Sequence, residues 1–218
     1  MPSLPTLYSL RQCPYAMRAR MGLLMAQQVV TLREVNMKKK PEEMLSVSAK
    51  ATVPVLVLND GLVIDQSIDI MLWALNKNDP SNLLYKHQAC MLEDMLKFIE
   101  HNDITFVDSL KKYKAASRYH DKEKNTYRGH CEEYVKQLEQ RLNRHEFIMG
   151  DNPSLVDYAI LPFIRQFSRV ERQWYLQAPY PALQRWLTAQ YQQAVFTKAM
   201  VKHEPWTENQ ATVVFGKV

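Results

Sequence analysis

Thr6-Leu7-Tyr8-Ser9-Leu10-Arg11-Gln12-Cys13-Pro14-Tyr15-Ala16-Met17-Arg18 sets a short apolar run against a helical pattern, with a cysteine and a proline at the joint. Thr6 to Leu10 reads as a strand. Pro14 suits the first turn of a helix, where its missing N–H removes a donor that has no intrahelical partner. The spacing predicts an amphipathic helix from Pro14 to about Gln27. Free N–H groups and the positive end of the helix dipole favour an anion at Cys13, and so the thiolate over the thiol. Cys13 is therefore a candidate nucleophile, with a buried structural cysteine as the alternative reading.

Further along, Val29-Val30-Thr31-Leu32-Arg33-Glu34-Val35 alternates and is β-branched, which predicts a second strand. Pro41 opens a short helix. Val53 to Leu58 is a third strand, Asn59-Asp60-Gly61 a turn, and Leu62-Val63-Ile64 a fourth strand. A last helix starts near Ser67 with Ile68, Met71, Leu72 and Leu75 at helical spacing. The order is β-α-β-α-β-β-α over residues 1–76. Residues 77–82 are polar, contain Pro80, and have the composition of a linker. Residues 83–218 read as an all-helical bundle, with stripes at Met91, Leu92, Met95, Leu96, Ile99 and at Tyr134, Val135, Leu138, Leu142. Ser154 and Asp157 resemble a capping box before a strongly apolar helix containing Pro162, a proline expected to distort its early turns. The fold class is α/β followed by all-α.

The 218 residues are 46% hydrophobic, enough for a sizeable core. No apolar stretch has the length of a membrane span and no basic segment leads into an apolar run at the start, so a cytoplasmic protein with no membrane partner is expected. Cys13, Cys90 and Cys131 show neither a disulfide framework nor metal-ligand spacing, which predicts no metal. The net charge of +5 is spread among alternating acids and bases such as Asp121-Lys122-Glu123-Lys124, a solvated face and not a nucleic-acid surface. Lys38-Lys39-Lys40-Pro41 is more concentrated, and reads either as a surface loop or as a receptor for a carboxylate or phosphate.

Five segments, in order and at matching spacing, resemble the glutathione transferase superfamily, and most closely its omega-like, cysteine-containing branch. They are Tyr8 to Ala16 with its Cys-Pro-Tyr-Ala, Asn36 to Glu42, Val53-Pro54-Val55-Leu56, Gln66-Ser67-Ile68, and Ser154-x-x-Asp157. The resemblance implies a thioredoxin-like first domain that binds glutathione, a helical domain forming much of a second-substrate pocket, and a homodimer. Glutathione becomes the co-substrate. Val53 would pair with its peptide backbone if the bond to Pro54 is cis, the bond type where cis costs little. Ser67 and the helix start at Gln66 would take the γ-glutamyl carboxylate, and Lys40 the glycyl carboxylate. Tyr15 and Trp174 are candidates for the second-substrate pocket.

Two departures bear on mechanism. Gln66 stands where the branch has Glu, which removes a charge facing the glutathione ammonium; Asp65 or a partner-subunit acid would have to compensate. Ala16 stands where dithiol glutaredoxins have a second Cys, which points to monothiol chemistry. The expected activity is a glutathione-dependent thiol transferase, removing glutathionyl groups with Cys13 as nucleophile. The alternatives are a conjugating transferase that depends on Tyr8 and a non-enzymatic binding or regulatory protein of the same fold.

Overall fold

Apolar β-rich segments and one long apolar helix build the first unit. The computed structural model describes residues 4–88, 90–207 and 211–217. The chain runs β1 (Thr6–Ser9), α1 (Pro14–Met25), β2 (Val30–Glu34), α2 (Glu42–Val47), β3 (Val55–Val57), β4 (Val63–Ile64) and α3 (Ser67–Lys77). Seven helices follow: α4 (Met91–His101), α5 (Val107–Arg118), α6 (Lys124–Leu142), α7 (Leu155–Phe167), α8 (Arg172–Gln177), α9 (Pro181–Gln192) and α10 (Ala194–Ala199), with a π-helical segment Asn102–Phe106 between α4 and α5. A further strand, β5 (Val213–Phe215), follows among the described residues.

The strands form one mixed sheet in the order β4-β3-β1-β2-β5. β1 and β2 are parallel, with Leu7 opposite Leu32, as the intervening crossover helix requires. β3 and β4 add antiparallel at one side, so the first unit is thioredoxin-like. β5 pairs antiparallel with β2, Val30 opposite Phe215. Sequence reading did not anticipate this strand. The described residues up to Ser81 and from Gln193 onward form one compact unit, and those from Asn82 to Gln192 the other. The expected helical domain of 83–218 therefore loses its last segment to the first unit. The reason is the unpaired edge of β2, which β5 covers, together with the packing of α10 on α1. Gly216 follows β5 at φ +104, and a Cβ there would lie 1.9 Å from the Gln28 carbonyl oxygen, so only glycine lets the two backbones meet.

The helix α1 departs from its amphipathic reading. Every residue from Ala16 to Leu24 is buried, because α3 and α10 pack against it. At Gly22 a Cβ would stand 2.9 Å from the Met71 Cα, so α1 and α3 approach to backbone contact. Two of the buried residues are charged. Arg20 donates from Nε to the Ser9 hydroxyl at 2.8 Å, from Nη1 to the Ala199 carbonyl at 3.3 Å, and from Nη2 to the Glu34 carboxylate. Burial pushes the guanidinium below its ordinary pKa, and the Glu34 carboxylate opposes that shift. The other Glu34 oxygen accepts the Arg11 backbone N–H at 2.7 Å.

In the helical unit, buried carboxylates close the helix ends. Asp157 accepts from the Ser154 N–H (2.9 Å) and hydroxyl (2.8 Å), from the Ile148 N–H (3.1 Å) and from Trp186 Nε1 (3.0 Å), and completes the expected capping box. Burial pushes its pKa up while these donors pull it back. α7 continues through Pro162 without interruption. Glu139 on α6 accepts the first free N–H groups of α9, from Ala182 at 3.1 Å and Leu183 at 2.8 Å.

Glu34→Ala leaves the buried Arg20 charge without its carboxylate, so equilibrium urea unfolding should show a loss of about 3–5 kcal/mol. The paired change Arg20→Met with Glu34→Leu should recover much of that loss. A second outcome concerns His203, whose pKa is lowered, first by burial and then by repulsion from Arg20. The fold thus favours neutral imidazole; its contribution is present above the usual value of 6.5 and is lost as pH falls through the lowered folded value. Unfolding curves between neutral pH and pH 5 should show a smaller acid loss of stability in His203→Gln than in the parent.

Candidate active site

Cys13 occupies the N-cap of α1, with φ −78° and ψ 124°. Its N–H donates to the Leu10 carbonyl at 2.9 Å and its carbonyl accepts the Met17 N–H at 2.9 Å, so the loop closes into the helix through this one residue. The side chain does not cap the helix. Its thiol instead contacts the Val53 carbonyl oxygen at 3.7 Å. The Val53–Pro54 peptide bond is cis, as the sequence reading expects. Val53 packs with Tyr8, Ala16, Val35, Met44 and Val55, and the half-buried Cys13 rests on the edge of this cluster. The Arg11 amide held by Glu34 fixes the other side of the same loop.

Ser67 is the first residue of α3 and is buried. Its hydroxyl accepts from Nη1 of Arg18 at 3.3 Å, and the Arg18 guanidinium lies 5.7 Å from the centre of the half-buried Tyr15 ring. The first turns of α1 therefore touch both Val53, through Cys13, and Ser67, through Arg18. Gln66 is exposed at the N-cap of α3, where its side chain makes no capping bond. The N–H groups of that helix end are thus open to an anion. Asp65, the acid beside Gln66, has partners of its own. It pairs with Lys50 at 2.7 Å and accepts from the Ser48 hydroxyl at 3.2 Å, and the Lys50 bond above all holds its pKa below the ordinary value.

Lys40 follows a tight turn in which Asn36 and Lys39 form a β-bridge and the Asn36 side chain accepts the Lys38 N–H at 3.0 Å. It is half-buried and makes no ion pair among the described residues. Tyr8, the rival catalytic residue, is buried on β1, and its hydroxyl accepts from Arg33 Nη1 at 2.6 Å. Arg33 in turn lies 4.0 Å from the centre of the Trp206 ring, which belongs to the returning C-terminal segment. Burial raises the Tyr8 pKa against the pull of Arg33, which favours the neutral phenol.

Trp174 has its place in the helical unit. The Arg128 guanidinium covers its ring at 4.4 Å and Phe167 meets it edge-on at 5.9 Å. Arg128 (3.0 Å), Lys124 (2.6 Å) and the Tyr113 hydroxyl (2.7 Å) all donate to Glu171 beside it. These contacts make Trp174 part of a packing network. Among the described residues, no group of three or more His, Cys, Asp or Glu side chains could hold a metal ion.

Sequence reasoning missed Arg18, Arg33, Glu34 and Trp206. The available signal was Arg18 and Arg20 inside the apolar run Ala16-Met17-Arg18-Ala19-Arg20-Met21, because charges there must be paired if the helix is buried.

Known proteins share this architecture and these segments. Residues 7–82 match the family model of the glutathione S-transferase N-terminal domain, and residues 113–189 that of the glutathione S-transferase C-terminal domain. Mouse glutathione S-transferase omega-1 is 27% identical over 209 residues, covering 92% of this chain and 82% of its own. A glutathione transferase family member from Pseudomonas fluorescens, solved with two glutathione bound, superposes with a TM-score of 0.80 at 18% identity, over 92% of this chain and 93% of that one. The glutathione transferase URE2P6 of Phanerochaete chrysosporium, in complex with oxidised glutathione, gives 0.78 at 16% identity, over 90% and 94%. With both domain models matched in order over most of its length, the chain belongs to the glutathione S-transferase family.

Proposed function

We propose that the protein is a glutathione-dependent thiol transferase in which Cys13 acts as a single nucleophilic thiol. The observation that carries this reading is the Cys13 thiol at the N-cap of α1, 3.7 Å from the carbonyl of Val53, the residue before cis Pro54. A helix start favours the thiolate, which is the form that attacks a disulfide. Val53 lies next to the thiol, and its N–H has no partner among the described residues, so an extended peptide such as glutathione has a backbone donor there. The open start of α3 at Gln66 and Ser67 suits the γ-glutamyl carboxylate, with Arg18 orienting the Ser67 hydroxyl. Lys40 is the candidate for the glycyl carboxylate. Glutathione is bound in two of the solved structures that share the fold, and the mouse protein 27% identical to this chain is glutathione S-transferase omega-1.

In the reaction the Cys13 thiolate attacks the glutathionyl sulfur of a mixed disulfide. The S–S bond breaks, the acceptor leaves as a thiolate and takes a proton, and Cys13 becomes the mixed disulfide with glutathione. A glutathione thiolate then attacks that glutathionyl sulfur, releasing the Cys13 thiolate and oxidised glutathione. The first unit contains no second cysteine. Of the two in the helical unit, Cys131 is buried and its thiol is pushed up to about 12, first by burial, which suits a structural role. We assign resolution of the Cys13 mixed disulfide to free glutathione, the thiol co-substrate. Tyr8 is disfavoured as the activating group because its hydroxyl is committed to Arg33.

Glutathione-dependent reduction of 2-hydroxyethyl disulfide tests the proposal. Cys13→Ser should lower kcat/KM by about 100-fold or more, since removal of a covalent nucleophile takes away the route itself. Tyr8→Phe should retain activity within about threefold, because it acts on neither bond that forms or breaks. Full activity in Cys13→Ser, or loss confined to Tyr8→Phe, would transfer the role to Tyr8.

A further inference from the structure

The charge pair beneath the Cys13 loop bears on the thiol as well as on the fold. Arg20 bonds the Ser9 hydroxyl at 2.8 Å, where the loop begins, and meets the Glu34 carboxylate, whose other oxygen takes the Arg11 N–H at 2.7 Å on the loop itself. The Cys13 N–H closes the same turn on Leu10 at 2.9 Å. A positive and a negative charge are thus tied by hydrogen bonds to the segment that ends at the nucleophile. Both are shielded from water, with Arg20 0% exposed and Glu34 7%, so salt screens them little.

The immediate neighbour of the sulfur works against ionisation. The Val53 carbonyl oxygen, 3.7 Å away, is an acceptor and favours the thiol over the thiolate. Arg20 works the other way. Burial pushes its guanidinium below the ordinary pKa and a Cys13 thiolate counters that shift, so each favours the charge of the other. Glu34, of opposite sign and bonded to the same loop, disfavours the thiolate. The other charged or titratable groups around the loop are Arg11 on it, Arg18 on α1, Tyr8 on β1 with Glu43 of α2 acting on it, and His203 on the C-terminal segment. Burial favours neutral phenol at Tyr8 and neutral imidazole at His203.

We infer that Arg20 and Glu34 are positioning residues for the Cys13 nucleophile with opposed electrical effects: the guanidinium stabilises the thiolate, and the carboxylate, besides holding the loop, limits that stabilisation. The inference deepens the thiol-transferase reading and rests on it for its meaning in catalysis. A limit has a chemical use, because a thiolate loses nucleophilicity as its basicity falls, and the fastest attacking thiol has a pKa near the ambient pH. Without Glu34 the thiolate would be more abundant and each one less reactive.

The pH dependence of Cys13 alkylation by iodoacetamide in the full chain tests this. Peptide-resolved mass spectrometry counts the exposed Cys90 apart and gives the ionisation midpoint of Cys13 alone. Arg20→Gln should raise that midpoint by about 0.5 pH unit or more, and Glu34→Gln should lower it by a similar amount. The plateau rate constant of Glu34→Gln should fall by about 1.5-fold as basicity falls. Arg20→Lys loses the forked geometry but keeps the cation, and should stay within about 0.3 pH unit of the parent. A structural role alone moves both glutamine variants the same way or leaves them unmoved, and affects Arg20→Lys as much as Arg20→Gln. Shifts of equal sign, no shift in either glutamine variant, or an Arg20→Lys midpoint more than about 0.5 pH unit from the parent would each overturn the inference. Should one glutamine variant fail to fold, the other and Arg20→Lys decide it by the same directions. No glutathione takes part in the measurement, so the two readings separate. Opposed shifts with a fully active Cys13→Ser would keep the electrical pair and retire the transferase; absent shifts with turnover that needs Cys13 would do the reverse.

Discussion

A buried guanidinium and the carboxylate facing it hold the first unit in register. Burying two charges costs several kcal/mol per ion and is tolerated only when their remaining donors and acceptors are filled. Arg20 meets that condition by reaching β1 at Ser9, β2 at Glu34 and α10 at Ala199 at once, while Glu34 uses its second oxygen on the Arg11 amide. The loop that presents Cys13 is thus fixed by a charge pair on its far side, and not only by its own turn geometry. Position of the thiol, register of β1 against β2, and docking of the C-terminal segment are aspects of one network.

The helical unit uses the same device with acids instead of a base. Asp157 gathers donors from the start of α7, from Ile148 and from Trp186; Glu139 takes the leading amides of α9; Glu171 neutralises Lys124 and Arg128. In each case a carboxylate ends a helix or absorbs neighbouring cations, and the polar groups around it are largely satisfied.

Much of the first unit was legible in the sequence because its signals are local. Alternating β-branched runs marked β2 and β3 and Pro14 marked the start of α1, whereas the cis bond at Pro54 was expected only through the family resemblance. The capping box at Ser154 and Asp157 was equally local. What escaped depends on distant partners. β5 is three residues long, and its meaning lies in β2, far away in sequence. Ser67 was recognised as a helix start, but not its bond to Arg18, since helical periodicity does not say which charged residues of a fully buried helix find partners. The packing of Trp174 was equally hidden, because Arg128, which lies on its face, comes from α6. Asp65 looked available from its place beside Gln66, and only the fold brings Lys50 to it.

The return of the chain to its first sheet has a consequence for how the protein is made. The helical unit is an insertion between two parts of one sheet-containing unit, and the strand that covers the β2 edge is synthesised after it. At ordinary elongation rates the nascent sheet waits roughly ten seconds for that strand. During this interval β2 has an uncovered edge, the Arg20 contact to Ala199 does not exist, and Trp206 has not reached Arg33. The helical unit, continuous in sequence, has all of its own residues first. Biogenesis therefore has a direction: the residues of the second unit are all made before the first unit has the last of its own, and the loop bearing the thiol acquires its last supports only when the segment from Gln193 onward has been made.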